Sequence, residues 1–282
     1  MNNLPALKDL YFTADDFGRD EHINSAVQIA HESGILNAAS LMVTGSACAG
    51  AVKLAKAMPR LEVGLHLLLS DGQAALPADQ IPQLSDRLGR FSSSPTFAGL
   101  RYWISRPARR QLRKEIEAQF ALFAATGLEL AHVDGHQNMH LHPVIFDCVL
   151  PLAQRHGARR IRIPHEELGP ALRMDRTRLI GNLLTAAIFA QLERRARRRI
   201  ANTPLQSPQK TYGLLMSGQM HEEYVLRVLQ RLKAESAEIY FHPTTFSQAE
   251  RLGPNRGDLE ALLSDRVRKL LAERASPEGV LS

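Results

Sequence analysis

The sequence predicts an α/β fold in which short strands alternate with amphipathic helices around a mostly parallel sheet. Three observations predict it. Seven short apolar runs of strand-like composition are spaced along the chain, and helical patterns lie between them. Residues able to bind a metal or move protons also recur at the C-terminal ends of those runs. In β/α barrels that rim is where loops converge over a rigid scaffold. At 282 residues the chain can form one such barrel without a second domain, so 1–282 is read as a single domain.

Strands are expected at Leu10 to Thr13, Ala39 to Val43, Leu61 to Leu65, Leu130 to Asp134, Arg160 to Ile163, Thr211 to Leu215 and Glu238 to Phe241. Ile23, Ala26, Val27 and Ala30 stand at i, i+3, i+4 and i+7 and predict the first helix, with Gly34 as its stop. Another helix carries Ile116, Phe120 and Phe123 on one face and ends at Gly127. A third opens at Pro143, where a missing backbone donor costs nothing. Two stretches break the rhythm and are long enough to be lid insertions. The first, 71–110, is rich in Pro, Ser and Gly and contains Tyr102 and Trp103; the second, 167–209, contains an arginine-rich helix.

Composition removes several classes. With 44% hydrophobic and 23% charged residues, the chain is globular rather than disordered, collagenous or coiled-coil. Two cysteines, Cys48 and Cys148, cannot build a disulfide scaffold or a cysteine-rich zinc finger, and they read as reduced thiols. Met1 to Leu10 lacks the pattern of an export signal, and no apolar run reaches the roughly 18 residues of a spanning helix. A cytoplasmic location is therefore expected.

The net charge of +6 is concentrated between Arg173 and Arg199, where eight Arg face only Asp175 and Glu193. Leu179 to Leu192 is apolar on nearly every face and is followed by Arg194, Arg195, Arg197, Arg198 and Arg199. Such a helix can lie in a bilayer interface, which makes 179–199 a candidate peripheral contact at the inner membrane face. A helix that covers the barrel and carries a solvated basic end is the competing reading. The same arginines could contact phosphates, but no interleaved aromatics or recognition motif accompany them, so no nucleic-acid partner is expected.

The chemistry collects at strand ends. Adjacent carboxylates at Asp15 and Asp16 repel each other unless a cation or proton separates their roles, although the pair could simply cap a helix. Asp16 can supply a hard oxygen ligand, while His66 and His136 can supply imidazole nitrogens. Four of the eleven histidines fall in the twelve residues from His132 to Pro143, a density that packing rarely needs. Along a strand His132, Asp134 and His136 share a side, so Asp134 or His132 could orient an imidazole. His242, at the end of the last strand, adds a side chain that can donate a proton near neutral pH, where an ordinary carboxyl is already ionised.

Thr13-Ala-Asp-Asp-Phe-Gly18, Gly64-Leu-His-Leu67, the block His132 to Pro143 and Phe241-His-Pro243 together resemble the YdjC/ChbG family of metal-dependent carbohydrate deacetylases, in order and over nearly the whole chain. Ala39 to Val43, Leu76 to Pro82 and Tyr212 to Gly218 are most similar to its hopanoid-biosynthesis-associated HpnK branch. The resemblance implies a distorted β/α barrel and hydrolysis of an N-acetyl group on an amino sugar, for that branch the N-acetylglucosaminyl head of a hopanoid lipid. A soluble chitooligosaccharide is the alternative substrate. It further implies one divalent ion on Asp16, His66 and His136, and Asp15 as catalytic base; two imidazoles in that set favour zinc over magnesium. His242 is the expected general acid, with His140 or His142 as competing candidates. Arg162, Glu166, Tyr102, Trp103 and His140 are the expected substrate contacts, since rim charges and lid aromatics suit hydroxyls and ring faces.

Overall fold

The computed structural model describes residues 9–167, 169, 179–250 and 252–275. One parallel sheet contains β1 (Asp9–Phe17), β2 (Ala38–Leu41), β3 (Glu62–Leu67), β4 (His132–Gly135), β5 (Arg160–Ile161), β6 (Lys210–Tyr212) and β7 (Ser236–Phe241). Every expected run overlaps one of these strands, with ends that differ by up to four residues. The spatial order is β5-β4-β3-β2-β1-β7-β6. The sheet curls until its outer strands approach: the Thr211 amide donates to the His165 carbonyl at 3.2 Å, and the Ile161 amide to that of Gln206 at 2.9 Å. The result is a distorted β/α barrel of seven parallel strands.

Parallel neighbours need crossovers, and helices supply them. These are α1 (Glu21–Ser33), α2 (Cys48–Ala57), α3 (Pro95–Ile104), α4 (Arg106–Ala125), α5 (Pro143–Arg155), α6 (Leu179–Ile200), α7 (Glu222–Arg231), α8 (Arg256–Leu262) and α9 (Asp265–Ala275). The Asp20 carboxylate caps α1 by accepting from the Ile23 amide at 2.9 Å, and Ser105 caps α4 just ahead of Pro107. The predicted apolar face of α4 is buried through Ile116, Phe120 and Phe123. The same helix buries Glu115 and Gln119, which bind the backbone of Leu68, Ala75 and Leu76. Together with the buried Ile81, Leu84 and Phe91, these bonds hold the long 71–94 excursion against the barrel. Of the second excursion, residue 168 and residues 170–178, including Arg173, Arg176 and Arg178, lie outside the described residues.

Strand alternation separates two environments. Phe12 and Ala14, Ala39 and Leu41, Val63 and Leu65, Val133, Ile161, and Ile239 and Phe241 join the apolar core. The intervening positions carry Thr13, Asp15, Ser40, His66, His132, Asp134, Arg162, Glu238, Tyr240 and His242, all buried. A polar barrel interior costs desolvation energy unless its members pair with one another, so such an interior must be fully networked. Gly64 makes room for it, since a Cβ there would lie 2.4 Å from the His132 ring.

Candidate metal centre and active site

Successive strand residues point to opposite faces, which should send Asp15 inward and Asp16 outward. The register of β1 on β2 breaks between Ala14 and Phe17, where β1 holds one residue more than its partner. Asp16 absorbs the extra residue at φ 63°, a left-handed conformation that costs a non-glycine residue about 1 kcal/mol or more. Both carboxylates thereby reach the same mouth. The His136 Nδ1 lies 3.1 Å from Asp16 Oδ1, and the His66 Nε2 3.3 Å from the same oxygen. Donor atoms of these three residues all fall within 4.8 Å of one another.

This constellation fits a divalent cation. His66 Nε2 is buried with no hydrogen-bond partner among the described residues, although it faces Asp16. Its Nδ1 is 2.8 Å from Asp134 Oδ1, the arrangement in which a carboxylate fixes an imidazole so that the opposite nitrogen can bind a metal. Asp134 thus orients His66 across the sheet, not His136 along its own strand, while His132 turns to the Ser40 hydroxyl at 3.0 Å. Burial disfavours charge on His66, but the carboxylates of Asp134 and Asp15 outweigh it and push the imidazole up to about 10. A metal ion entering the cluster would therefore displace a proton. For Asp16, burial likewise opposes ionisation, and the adjacent His136 and His66 rings hold its carboxyl well below the usual range.

Arg162 organises the remaining charge. Its two terminal nitrogens donate to the two oxygens of Asp15 at 2.7 and 2.8 Å. One of them also lies 2.8 Å from Asp134 Oδ2 and 2.9 Å from Glu238 Oε1. Glu238 further accepts from Thr13, and Asp134 from Ser40. Asp15, Asp16, Asp134 and Glu238 are all buried, against the buried Arg162 and the more open Arg19, which lies 3.3 Å from Asp16. The mouth thus carries an excess of carboxylate over guanidinium, the sign of charge that a divalent cation would balance. Asp134→Asn keeps the shape of the side chain and removes its charge. It is expected to weaken Zn²⁺ binding roughly ten- to a hundred-fold in competition with a chromogenic chelator. Unchanged affinity would show that Asp134 does not prepare His66 for a metal.

The other expected contacts are distributed differently. His242 opens at this mouth, with Nε2 3.9 Å from Asp15 Oδ2 and its backbone amide bound to Asp258. His140 lies behind the β4 turn with Nε2 bonded to the Arg162 carbonyl at 2.9 Å, and burial pushes it down to about 4. It faces protein, not the mouth. Arg162 is buried and directs its guanidinium to the carboxylates of Asp15, Asp134 and Glu238. Glu166 accepts from the amides of Gly213 and Leu215 and from the Tyr224 hydroxyl. Tyr102 is buried and donates to the Leu69 carbonyl at 2.8 Å. Trp103 is exposed, edge-on to His142. Ser40, Glu238, Arg19 and Asp258 also join the site, although no motif in the sequence marks them; for Glu238 the signal is a carboxylate alternating with Tyr240 and His242 in an otherwise largely apolar strand.

Fold and cluster together define a parallel β/α-barrel protein with an Asp-His-His set able to hold a divalent metal at the C-terminal rim. The chain belongs to the YdjC-like protein family, whose sequence model matches residues 9–273. It is 37% identical over 147 residues to a carbohydrate deacetylase of Brevibacillus brevis, covering 52% of this chain and 56% of that protein. A Geobacillus stearothermophilus carbohydrate deacetylase is 33% identical over 144 residues, 51% of this chain and 55% of its own. The matches to these two relatives thus span little more than half their length. A chitooligosaccharide deacetylase of Serratia marcescens is 27% identical over 285 aligned positions, with 95% of each chain covered. A solved Enterococcus faecalis structure, described as a candidate cellobiose-phosphate cleavage protein, shares the fold with a TM-score of 0.74 at 20% identity over 96% of both chains.

Proposed function

We propose that this protein is a metal-dependent hydrolase that removes the N-acetyl group from an amino sugar. The observation that carries the reading is the convergence of Asp16, His66 and His136 beside an Asp15 clamped by Arg162, in a family with carbohydrate deacetylase relatives. All seven strands contribute to one sheet, which supports reading 1–282 as one catalytic unit. Asp16, His66 and His136 would hold the ion, zinc in preference to magnesium because two of three ligands are imidazoles. When bound, such an ion polarises an acetyl carbonyl and lowers the pKa of a nearby water.

Asp15 is the base in this scheme. A carboxylate has about four acceptor positions, and Arg162 occupies two, leaving others for the proton of an attacking water. The guanidinium holds both oxygens in one orientation, so the base needs no reorganisation at the moment of transfer. His242, with Nε2 3.9 Å from Asp15 Oδ2, delivers a proton to the departing amine; an amine leaving unprotonated would be a poor leaving group. His140, buried against the Arg162 carbonyl, is less suited to that role.

The finer reading is that the sugar is the N-acetylglucosaminyl head of a hopanoid glycolipid, as in the HpnK branch, handled from a peripheral position at the inner membrane face. A groove of about 450 Å³ supports it, lined by Leu100, Trp103, Met139, Ile188, Phe189 and Leu192, together with Gln137 and Asn138 of the turn that follows His136. A soluble chitooligosaccharide is the second reading, favoured by the Serratia relative matched end to end. Acetate release separates them. Zn²⁺-loaded protein is expected to release acetate from a detergent-solubilised N-acetylglucosaminyl lipid faster than from N-acetylated chitooligosaccharides, and to stop with a chelator. The opposite order would select the soluble substrate; release from neither would overturn the deacetylase assignment.

A further inference from the structure

The sequence drew attention to α6 alone, but the structure sets α3 across the groove from it. Phe97, Leu100 and Ile104 stand at i, i+3 and i+7 and form one stripe of α3, 57%, 58% and 69% exposed. Leu184, 62% exposed, and Ile188 form the corresponding stripe of α6. Arg195 and Arg198 continue that stripe at i+11 and i+14 from Leu184, and Arg194 lies beside it. Both helices border the groove, α3 through Leu100 and Trp103 and α6 through Ile188 and Phe189. Two apolar ridges therefore stand on either side of a channel that leads to the 3-10 turn (His136–Leu141) carrying His136.

What covers these ridges can be argued from charge. Arg194 and Arg198 are exposed and have no carboxylate partner among the described residues, whereas Arg195 and Arg199 bind Asp147 and Arg197 binds Glu193. Arg106 and Arg110, just beyond the end of α3, are likewise exposed and free of carboxylates among the described residues. Apolar ridges ended by unpaired guanidinium groups complement the boundary between acyl chains and anionic headgroups. No helix among the described residues is long and apolar enough to cross a membrane, so the contact would be lateral.

We infer that the exposed stripes of α3 and α6, with their terminal arginines, are one docking surface for an anionic bilayer, which seats the mouth of the groove against the acyl layer. The inference rests on the glycolipid reading only for its purpose; the surface itself can be tested without a sugar. Trp103 is the only tryptophan in the chain and lies between the two ridges, so its emission reports docking without a label. With full-length protein and vesicles of phosphatidylglycerol at low salt, the emission is expected to shift to shorter wavelength and the protein to co-sediment. Vesicles of phosphatidylcholine should do neither.

A triple variant, Phe97→Glu, Ile104→Glu and Leu184→Glu, changes exposed positions that do not line the groove. It should keep the wild-type melting temperature and lose roughly tenfold or more in vesicle partitioning. Wild-type emission unmoved by anionic vesicles, or undiminished binding by the triple variant, would overturn the inference. So would a dimer in solution that Ile104→Glu dissociates, since a second copy would then cover the ridges. Vesicle docking without acetate release from a solubilised glycolipid would retain the surface and reject the functional reading. The reverse pair of results would reject the surface and retain the reading.

Discussion

Asp15→Asn is expected to reduce deacetylation roughly a hundred- to ten-thousand-fold while leaving the metal content of the protein unchanged. The carboxamide has nearly the same shape, and the metal set proposed for this site lies one residue further along, on Asp16, His66 and His136. Arg162 keeps two other carboxylates, Asp134 and Glu238, so the variant should also fold. Initial rates measured beside metal analysis of the same sample provide the check. A variant that loses its metal would move Asp15 into the ligand set, and one that keeps its rate would remove it from the chemistry.

Arg162→Leu is expected to destabilise the metal-free protein by about 3–5 kcal/mol, because it leaves Asp15, Asp134 and Glu238 buried without their shared cation. For a chain of this size that corresponds to a fall in melting temperature on the order of 10 °C. The deficit should depend on pH. In the native protein, burial opposes ionisation of Asp134 and Glu238, but Arg162 more than compensates and holds both below their usual range. Their stabilising contribution is therefore complete above the unfolded-state values near pH 4 and is lost as pH falls towards the folded ones. Acidification also lets the orphaned carboxylates of the variant take up protons, so the two proteins should converge in stability as pH falls. Melting curves of chelator-treated samples from pH 4 to 8 would show this; a gap that stays constant would mean that Arg162 acts by packing, not by charge.

The network behind that prediction was only partly legible in the sequence. The seven strands and the face of α4 follow from local periodicity, and the metal candidates follow from their positions at strand ends. Arg162 reads as a rim charge, but its partners come from β1, β4 and β7, and nothing in the spacing of Asp15, Asp134 and Glu238 reveals that one guanidinium reaches all three. Tyr102 and Glu166 look like sugar contacts on residue type alone. Their hydrogen-bond partners, the Leu69 carbonyl and the Gly213 and Leu215 amides, exist only once distant loops have packed.

What this chain's residues dictate locally is the alternation of strand and helix, the helix caps and the concentration of imidazoles and carboxylates after strands, because each depends on neighbours within about a turn or a pleat. Which of those groups meet was decided by the curl of the sheet and by the bulge at Asp16, which turns two adjacent carboxylates to one side. Hydrogen bonds and charge pairing act over a few ångströms. They select partners only after folding has brought remote strands to that distance.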